Sequence, residues 1–120
     1  MVNLLIADDS KYIRDLLRTI LEKEGHTIVA EATSGTEVLQ LYSEHQPELV
    51  LLDILMDEPN GIECVKQIKQ NDPGAKILMI SALGQDGIVN KAIAAGAIDY
   101  LVKPFKRVQI VEAINKVLEQ

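Results

Sequence analysis

Short aliphatic runs alternate along the chain with longer stretches in which apolar side chains recur every three or four positions. Leu4 to Ala7, Thr27 to Ala32, Leu49 to Asp53, Lys76 to Ser81 and Asp99 to Val102 are of the first kind. Runs this short and this apolar predict strands covered on both faces of a sheet. Between them Ile13, Leu16, Leu17, Ile20 and Leu21 fall at helical spacing, and Gly25 is placed to stop that helix. Ser34 with Glu37, and Asn60 with Glu63, have capping-box spacing. They open helices through Val38, Leu39 and Leu41 to about Glu44, and through Ile62, Val65 and Ile68 to Asn71. Asn71-Asp72-Pro73-Gly74 is a turn. Gln85 to Ala95 predicts a helix of low bulk closed by Gly96, and Val108, Val111, Ile114, Val117 and Leu118 stripe a last one.

Five strands alternating with five helices predict an α/β fold with helices on both faces of a parallel sheet. For five such units the common flavodoxin-like strand order is 2-1-3-4-5, which makes strands one and three neighbours. Ligands in such sheets bind beyond the carboxyl ends of the strands, at that switch point. At 120 residues, with no linker or repeat, the expectation is one domain over residues 1–120.

Composition narrows the function. A net charge of -6 argues against nonspecific binding to nucleic acid, which needs clustered Lys and Arg. Cys64 is the only cysteine, so no intrachain disulfide or multi-cysteine metal site is available, and it is expected to be inert packing on a helix. His26 and His45 have no metal-ligand spacing and are expected on the surface. The opening residues carry two acids, Asp8 and Asp9, too early for a signal peptide, and no apolar run approaches a membrane span. A soluble, cytoplasmic protein is expected, without membrane contact.

The predicted strand ends read Asp8 and Asp9, then Asp53, Ser81 and Lys103. Adjacent strands lie about 4.8 Å apart, so the three carboxylates would crowd together. Two charges about 5 Å apart at an effective dielectric near 20 repel by roughly 3 kcal/mol. A divalent cation relieves that repulsion, and an oxygen-only ligand set suits Mg²⁺. Lys103 and Ser81 suit the oxygens of a phosphoryl group carried on Asp53. Singly, an Asp at a strand end reads as a helix N-cap, Ser81 as a turn residue and Lys103 as a solvated charge; jointly they are harder to explain so.

Asp8-Asp9-Ser10 with Arg14, Asp53-Ile54-Leu55-Met56 with Gly61, Ser81-Ala82 and Lys103-Pro104-Phe105 together resemble the response-regulator receiver domain family, in particular its single-domain chemotaxis members. The resemblance spans essentially the whole chain. It implies that Asp53 is the phosphoacceptor and that Asp9, Asp53 and the Leu55 carbonyl bind Mg²⁺, with Asp8 helping through water. It further implies that Ser81 and Lys103 contact the phosphoryl oxygens, that Tyr100 is an aromatic switch moving with Ser81, and that the Lys103-Pro104 bond is cis. The implied partners are a histidine kinase and a downstream effector protein, a flagellar motor or another, with the chain monomeric when unphosphorylated. The implied role is a signalling switch rather than an enzyme. The Gln85–Ala95 helix, with Tyr100 beside it, is the expected moving face.

Two departures stand out. The loop Met56-Asp57-Glu58-Pro59-Asn60-Gly61 keeps the family's length but shifts its proline, and Asp57 and Glu58 are either solvated loop acids or further aids to cation binding. Leu55 and Leu83, two residues beyond Asp53 and Ser81, cannot orient an attacking water by hydrogen bonding, which predicts slow self-dephosphorylation. Other readings are a stand-alone receiver in a different phosphorelay, an aspartyl-phosphate phosphohydrolase and a flavodoxin-like binder. The phosphohydrolase would need a nucleophile-x-acid pattern after the first strand, and the binder a Ser/Thr/Gly-rich phosphate loop there; Asp8-Asp9-Ser10 is neither.

Overall fold

The computed structural model describes residues 1–120. Its elements are β1 (Asn3–Ala7), α1 (Lys11–Lys23), β2 (Thr27–Ala32), α2 (Gly35–His45), β3 (Leu49–Leu52), α3 (Gly61–Asn71), β4 (Ile77–Ser81), α4 (Asp86–Ala95), β5 (Asp99–Val102) and α5 (Arg107–Leu118). The strands form one parallel sheet in the order β2-β1-β3-β4-β5, as the alternation predicted. Asp53 and Lys76 fall just outside β3 and β4.

The two faces of each central strand feed different cores. Leu5, Ala7, Val50, Leu52, Ile77 and Met79 pack with α2, α3 and α4. Leu4, Ile6, Leu49, Leu51, Leu78 and Ile80 pack with α1 and α5. This two-sided burial is why β1, β3 and β4 read as continuous apolar runs. The edge strand β5 is only half-buried, with Val102 exposed.

Helix starts follow the sequence in outline but differ in partners. Ser10, Ser34 and Asn60 cap α1, α2 and α3 through their side-chain oxygens. The reciprocal half expected of Glu37 goes instead to Thr33, whose amide and hydroxyl both donate to its carboxylate. The start of α4 has no side-chain cap, and Ala92 is the only buried residue in that helix. Few buried contacts and an open start make α4 the least firmly held helix.

His45 is exposed, but His26 is half-buried, contrary to expectation. Its Nδ1 accepts the Val2 amide at 3.2 Å, and burial, then the nearby amino terminus, pull its pKa below the ordinary value. Cys64 is fully buried, the packing role expected of it, and burial pushes its thiol up to about 11.

On the far side of the sheet from the strand ends, the Tyr42 hydroxyl donates to Asp72 at 2.6 Å and ties α2 to the turn after α3. Burial, then the Asp72 carboxylate, raise the phenol pKa above its ordinary value. An unfolded tyrosine ionises near pH 10, so above that pH the unfolded chain holds fewer protons than the folded one. Stability therefore falls as pH rises, and Tyr42→Phe removes this contribution. Urea unfolding at about pH 8 and about pH 11 should show a smaller loss in Tyr42→Phe than in the wild type. Equal losses would contradict the assignment.

Candidate phosphoacceptor site

The sheet register brings the sequence-predicted site residues together. The last residues of β1 and β3, Ala7 and Leu52, are paired, and the Asp53 amide donates to the Ala7 carbonyl at 3.0 Å. Asp8 and Asp53 therefore leave neighbouring strands side by side. Ser81 ends β4 opposite Val102, and the Lys103 amide donates to the Ser81 carbonyl at 2.9 Å. The β4–β5 pairing thus fixes where the Lys103 side chain starts.

Asp8 and Asp53 are buried, and Asp9 is exposed. One carboxylate oxygen from each lies within 4.8 Å of the others. None of the three caps a helix. One oxygen of Asp8 accepts the Ser10 amide at 2.9 Å, and one of Asp53 accepts the Leu55 amide at 3.3 Å. Their other oxygens meet Lys103, whose Nζ lies 2.5 Å from Asp8 and 3.2 Å from Asp53. Burial works against the lysine's charge, but the Asp8 hydrogen bond and both carboxylate charges outweigh it and hold its pKa above the ordinary value. One cation against three carboxylates leaves a negative, oxygen-only cluster open on the Asp9 side. That donor set fits a hard divalent ion such as Mg²⁺.

Ser81 is fully buried, and its hydroxyl oxygen accepts the Leu83 amide at 3.3 Å. The half-buried Tyr100 donates its hydroxyl to the Leu83 carbonyl at 2.5 Å. Burial raises its pKa, the neighbouring Ser81 pulling the other way. Ser81 and Tyr100 therefore meet on one short loop segment, although neither touches the carboxylates by a hydrogen bond. The Lys103-Pro104 bond is cis, as the family resemblance implied, and so is Glu58-Pro59, which nothing in the sequence suggested.

The loop after Asp53 folds tightly on itself and on α2. A Cβ on Gly61 would lie 2.2 Å from the Asp53 carbonyl oxygen, and one on Gly35 would lie 1.7 Å from that of Pro59. Only glycine allows either approach. The Gly35 amide donates to the Asp57 carbonyl at 3.0 Å, and the Thr36 hydroxyl to that of Glu58 at 3.3 Å. The side chains of Asp57 and Glu58 are exposed and outside the acid cluster, which is the solvated-loop arrangement. Leu55 is 52% exposed beside Asp53, whereas Leu83 packs partly against the core. Of that pair Leu55 presents the larger apolar surface to water, Leu83 being half-buried.

Sequence reading flagged Arg14 but missed its partners. Its Nη1 donates to the Asp8 carbonyl at 2.7 Å and its Nε to Glu31 at 3.0 Å. Arg18 grips the other Glu31 oxygen at 2.6 Å. The available signal was Glu31 itself, a carboxylate inside the otherwise apolar run Ile28-Val29-Ala30-Glu31-Ala32.

Residues 4–115 match the family model for the response regulator receiver domain. The chain is 47% identical over 113 residues to the chemotaxis protein CheY of Thermotoga maritima, covering 94% of each chain. It is 48% identical over 115 residues to the chemotaxis protein CheY of Bacillus subtilis, covering 96% of each. Among solved structures, the CheX-CheY-BeF3-Mg+2 complex from Borrelia burgdorferi matches with a TM-score of 0.94 at 35% identity, over 97% of this chain and 88% of that one. A LuxR-family two-component response regulator from Aurantimonas sp. SI85-9A1 gives a TM-score of 0.94 at 32% identity, over 99% of this chain and 86% of that one. No helix is long and apolar enough to cross a membrane.

The lysine bridge makes a direct prediction. Lys103→Met leaves Asp8 and Asp53 buried without their cation, which should cost about 3 kcal/mol of unfolding free energy in the presence of a chelator. Added Mg²⁺ should restore more stability to this variant than it adds to the wild type. Denaturant titration with and without Mg²⁺ measures both quantities, and an unchanged midpoint in chelator would contradict the bridge.

Proposed function

The chain belongs to the response regulator receiver domain family, and on that premise we propose that it is a phosphorylation-controlled switch of chemotaxis. A histidine kinase donates the phosphoryl group, Asp53 accepts it with Mg²⁺ present, and the product binds a downstream protein with altered affinity. The observation that carries this reading is the Lys103 ammonium bridging the buried Asp53 and Asp8 carboxylates. The higher identity to chemotaxis proteins, 47% and 48%, than to the LuxR-family regulator, 32%, favours chemotaxis over another phosphorelay. The protein acts as one cytoplasmic domain, monomeric until phosphorylated, and as a switch rather than an enzyme.

In the transfer, an Asp53 carboxylate oxygen attacks phosphorus, an O–P bond forms and the P–N bond of the kinase phosphohistidine breaks. The electron pair of that bond returns to the imidazole nitrogen. Asp9, Asp53 and the Leu55 carbonyl would hold Mg²⁺, with Asp8 bound through water. When bound, the ion would supply charge neutralisation for the carboxylates and the phosphoryl oxygens. Lys103 supplies the fixed positive charge on the other side, and its raised pKa keeps it charged. Once Asp53 carries the phosphoryl group as an acyl phosphate, its oxygen no longer holds a full charge for Lys103, and the phosphoryl oxygens become the better acceptors.

The switch follows from a second bond that the Ser81 hydroxyl can make. Its hydroxyl oxygen now accepts the Leu83 amide, and a phosphoryl oxygen offers a charged acceptor for its proton. Charge-assisted bonds to Ser81 and Lys103, at about 1.5 to 3 kcal/mol each, draw the Ser81–Leu83 segment toward Asp53. Tyr100 hangs from the Leu83 carbonyl, so it moves with that segment, beside the sparsely packed α4. Inverting a 1:99 population needs about 5.5 kcal/mol, so a partner that prefers the active form completes the shift.

Incubation with acetyl phosphate and Mg²⁺ should add one phosphoryl mass to the wild type and none to Asp53→Asn. Equal modification of both would reject Asp53 as the acceptor. Exposed Leu55 cannot orient a water, so Leu55→Asn should speed the decay of the phosphorylated form several-fold. An unchanged decay rate would remove Leu55 from the account of phosphoryl lifetime.

A further inference from the structure

We propose that Arg14 is a positioning residue for the acid site, holding the Asp8–Asp9 peptide by its carbonyl, and that Glu31 holds Arg14 in place and neutralises its charge. The inference rests on the metal-binding reading above and concerns how the unpaired carboxylate of that site is aimed.

Asp8 is held at every polar atom. Its amide donates to the Ala32 carbonyl at 3.1 Å, its carboxylate meets Ser10 and Lys103, and its carbonyl accepts Arg14 Nη1 at 2.7 Å. Asp9 differs: it is exposed and makes none of the ion pairs in the chain. Nothing on its own side chain fixes where its carboxylate points. The peptide that joins it to Asp8 is planar, so a bond to the Asp8 carbonyl sets the plane from which the Asp9 backbone leaves. Arg14 makes that bond from a largely buried side chain, 13% exposed.

A cation beside a metal site would oppose the metal unless its charge were met. Here Nε of the same guanidinium donates to one Glu31 oxygen at 3.0 Å. Arg18 donates to the other Glu31 oxygen through Nε at 2.9 Å and Nη2 at 2.6 Å and to Glu22 at 3.2 Å, so two carboxylates meet the two guanidiniums. Glu31 is thus fixed from both sides, on a strand paired with β1. The planar guanidinium can reach a carbonyl with one nitrogen and a carboxylate with another, whereas a lysine ammonium concentrates its donors at one point. Groups that orient metal ligands without touching the metal commonly change its affinity by 10- to 100-fold.

The test is calorimetric titration of the whole chain with Mg²⁺ and no phosphodonor, in the wild type, Arg14→Met, Arg14→Lys, Glu31→Gln and Arg14→Met/Glu31→Gln. Folding is checked by circular dichroism in chelator. Arg14→Met should bind Mg²⁺ about tenfold more weakly, and Arg14→Lys should not recover the loss. Glu31→Gln should weaken binding on its own, yet add nothing in the double variant, because both act through one contact. Wild-type affinity in folded Arg14→Met or Arg14→Lys would overturn the role of Arg14 and leave the metal site standing. Additive losses in the double variant would overturn the role of Glu31. Absence of Mg²⁺ binding by the wild type would overturn the metal reading and this inference together.

Discussion

Burying two carboxylates side by side is unfavourable unless something positive lies between them, and here one lysine serves both Asp8 and Asp53. The arrangement is short of positive charge, since Asp9 adds a third acid within 4.8 Å. That shortage gives the site its chemistry. The cluster is suited to a divalent ion, and the lysine, held at 2.5 Å by Asp8 and 3.2 Å by Asp53, is already shared between two acceptors. A new anionic group on Asp53 competes for a ligand that the fold has committed to neither.

The rest of the structure serves to bring these charges to one place. Pairing of β1 with β3 sets Asp8 beside Asp53, and pairing of β4 with β5 sets the root of Lys103 beside Ser81. Apolar burial on both faces of the sheet makes that register stiff, because a slip by one residue would exchange the two cores. The stiff frame contrasts with what surrounds it. α4 buries only Ala92 and begins without a cap, and the Ser81–Leu83–Tyr100 contacts connect the site to it. A rigid site beside a loosely held helix is what a local charge change needs to produce a distant effect.

The sheet and four of the helices were plain in the sequence because two-sided burial, caps and turn residues leave local patterns. Asp8, Asp9, Asp53, Ser81 and Lys103 were legible for the same reason: each closes or follows a strand, and the sheet order converts strand ends into neighbours. What was not legible depends on directions that spacing does not encode. Leu55 and Leu83 stand equally far beyond Asp53 and Ser81, yet one is exposed and the other half-buried against the core. Arg14 stood out only as part of a motif, and the convergence of Arg14 and Arg18 on Glu31 requires knowing that α1 lies against β2. The docking of the shifted loop on Gly35 was invisible too, since a glycine at the start of α2 reads equally well as ordinary turn chemistry.

The central claim is that Lys103 passes from Asp8 and Asp53 to a phosphoryl group carried on Asp53. The most direct measurement is a crystal structure of the chain with Mg²⁺ and beryllium fluoride, a tetrahedral mimic of a phosphoryl group on a carboxylate. The account predicts the fluoride on an Asp53 carboxylate oxygen, with Lys103 Nζ in hydrogen-bond contact with a fluorine and withdrawn from Asp8. Fluoride bound elsewhere, or Lys103 still seated on Asp8 with no contact to it, would contradict the account.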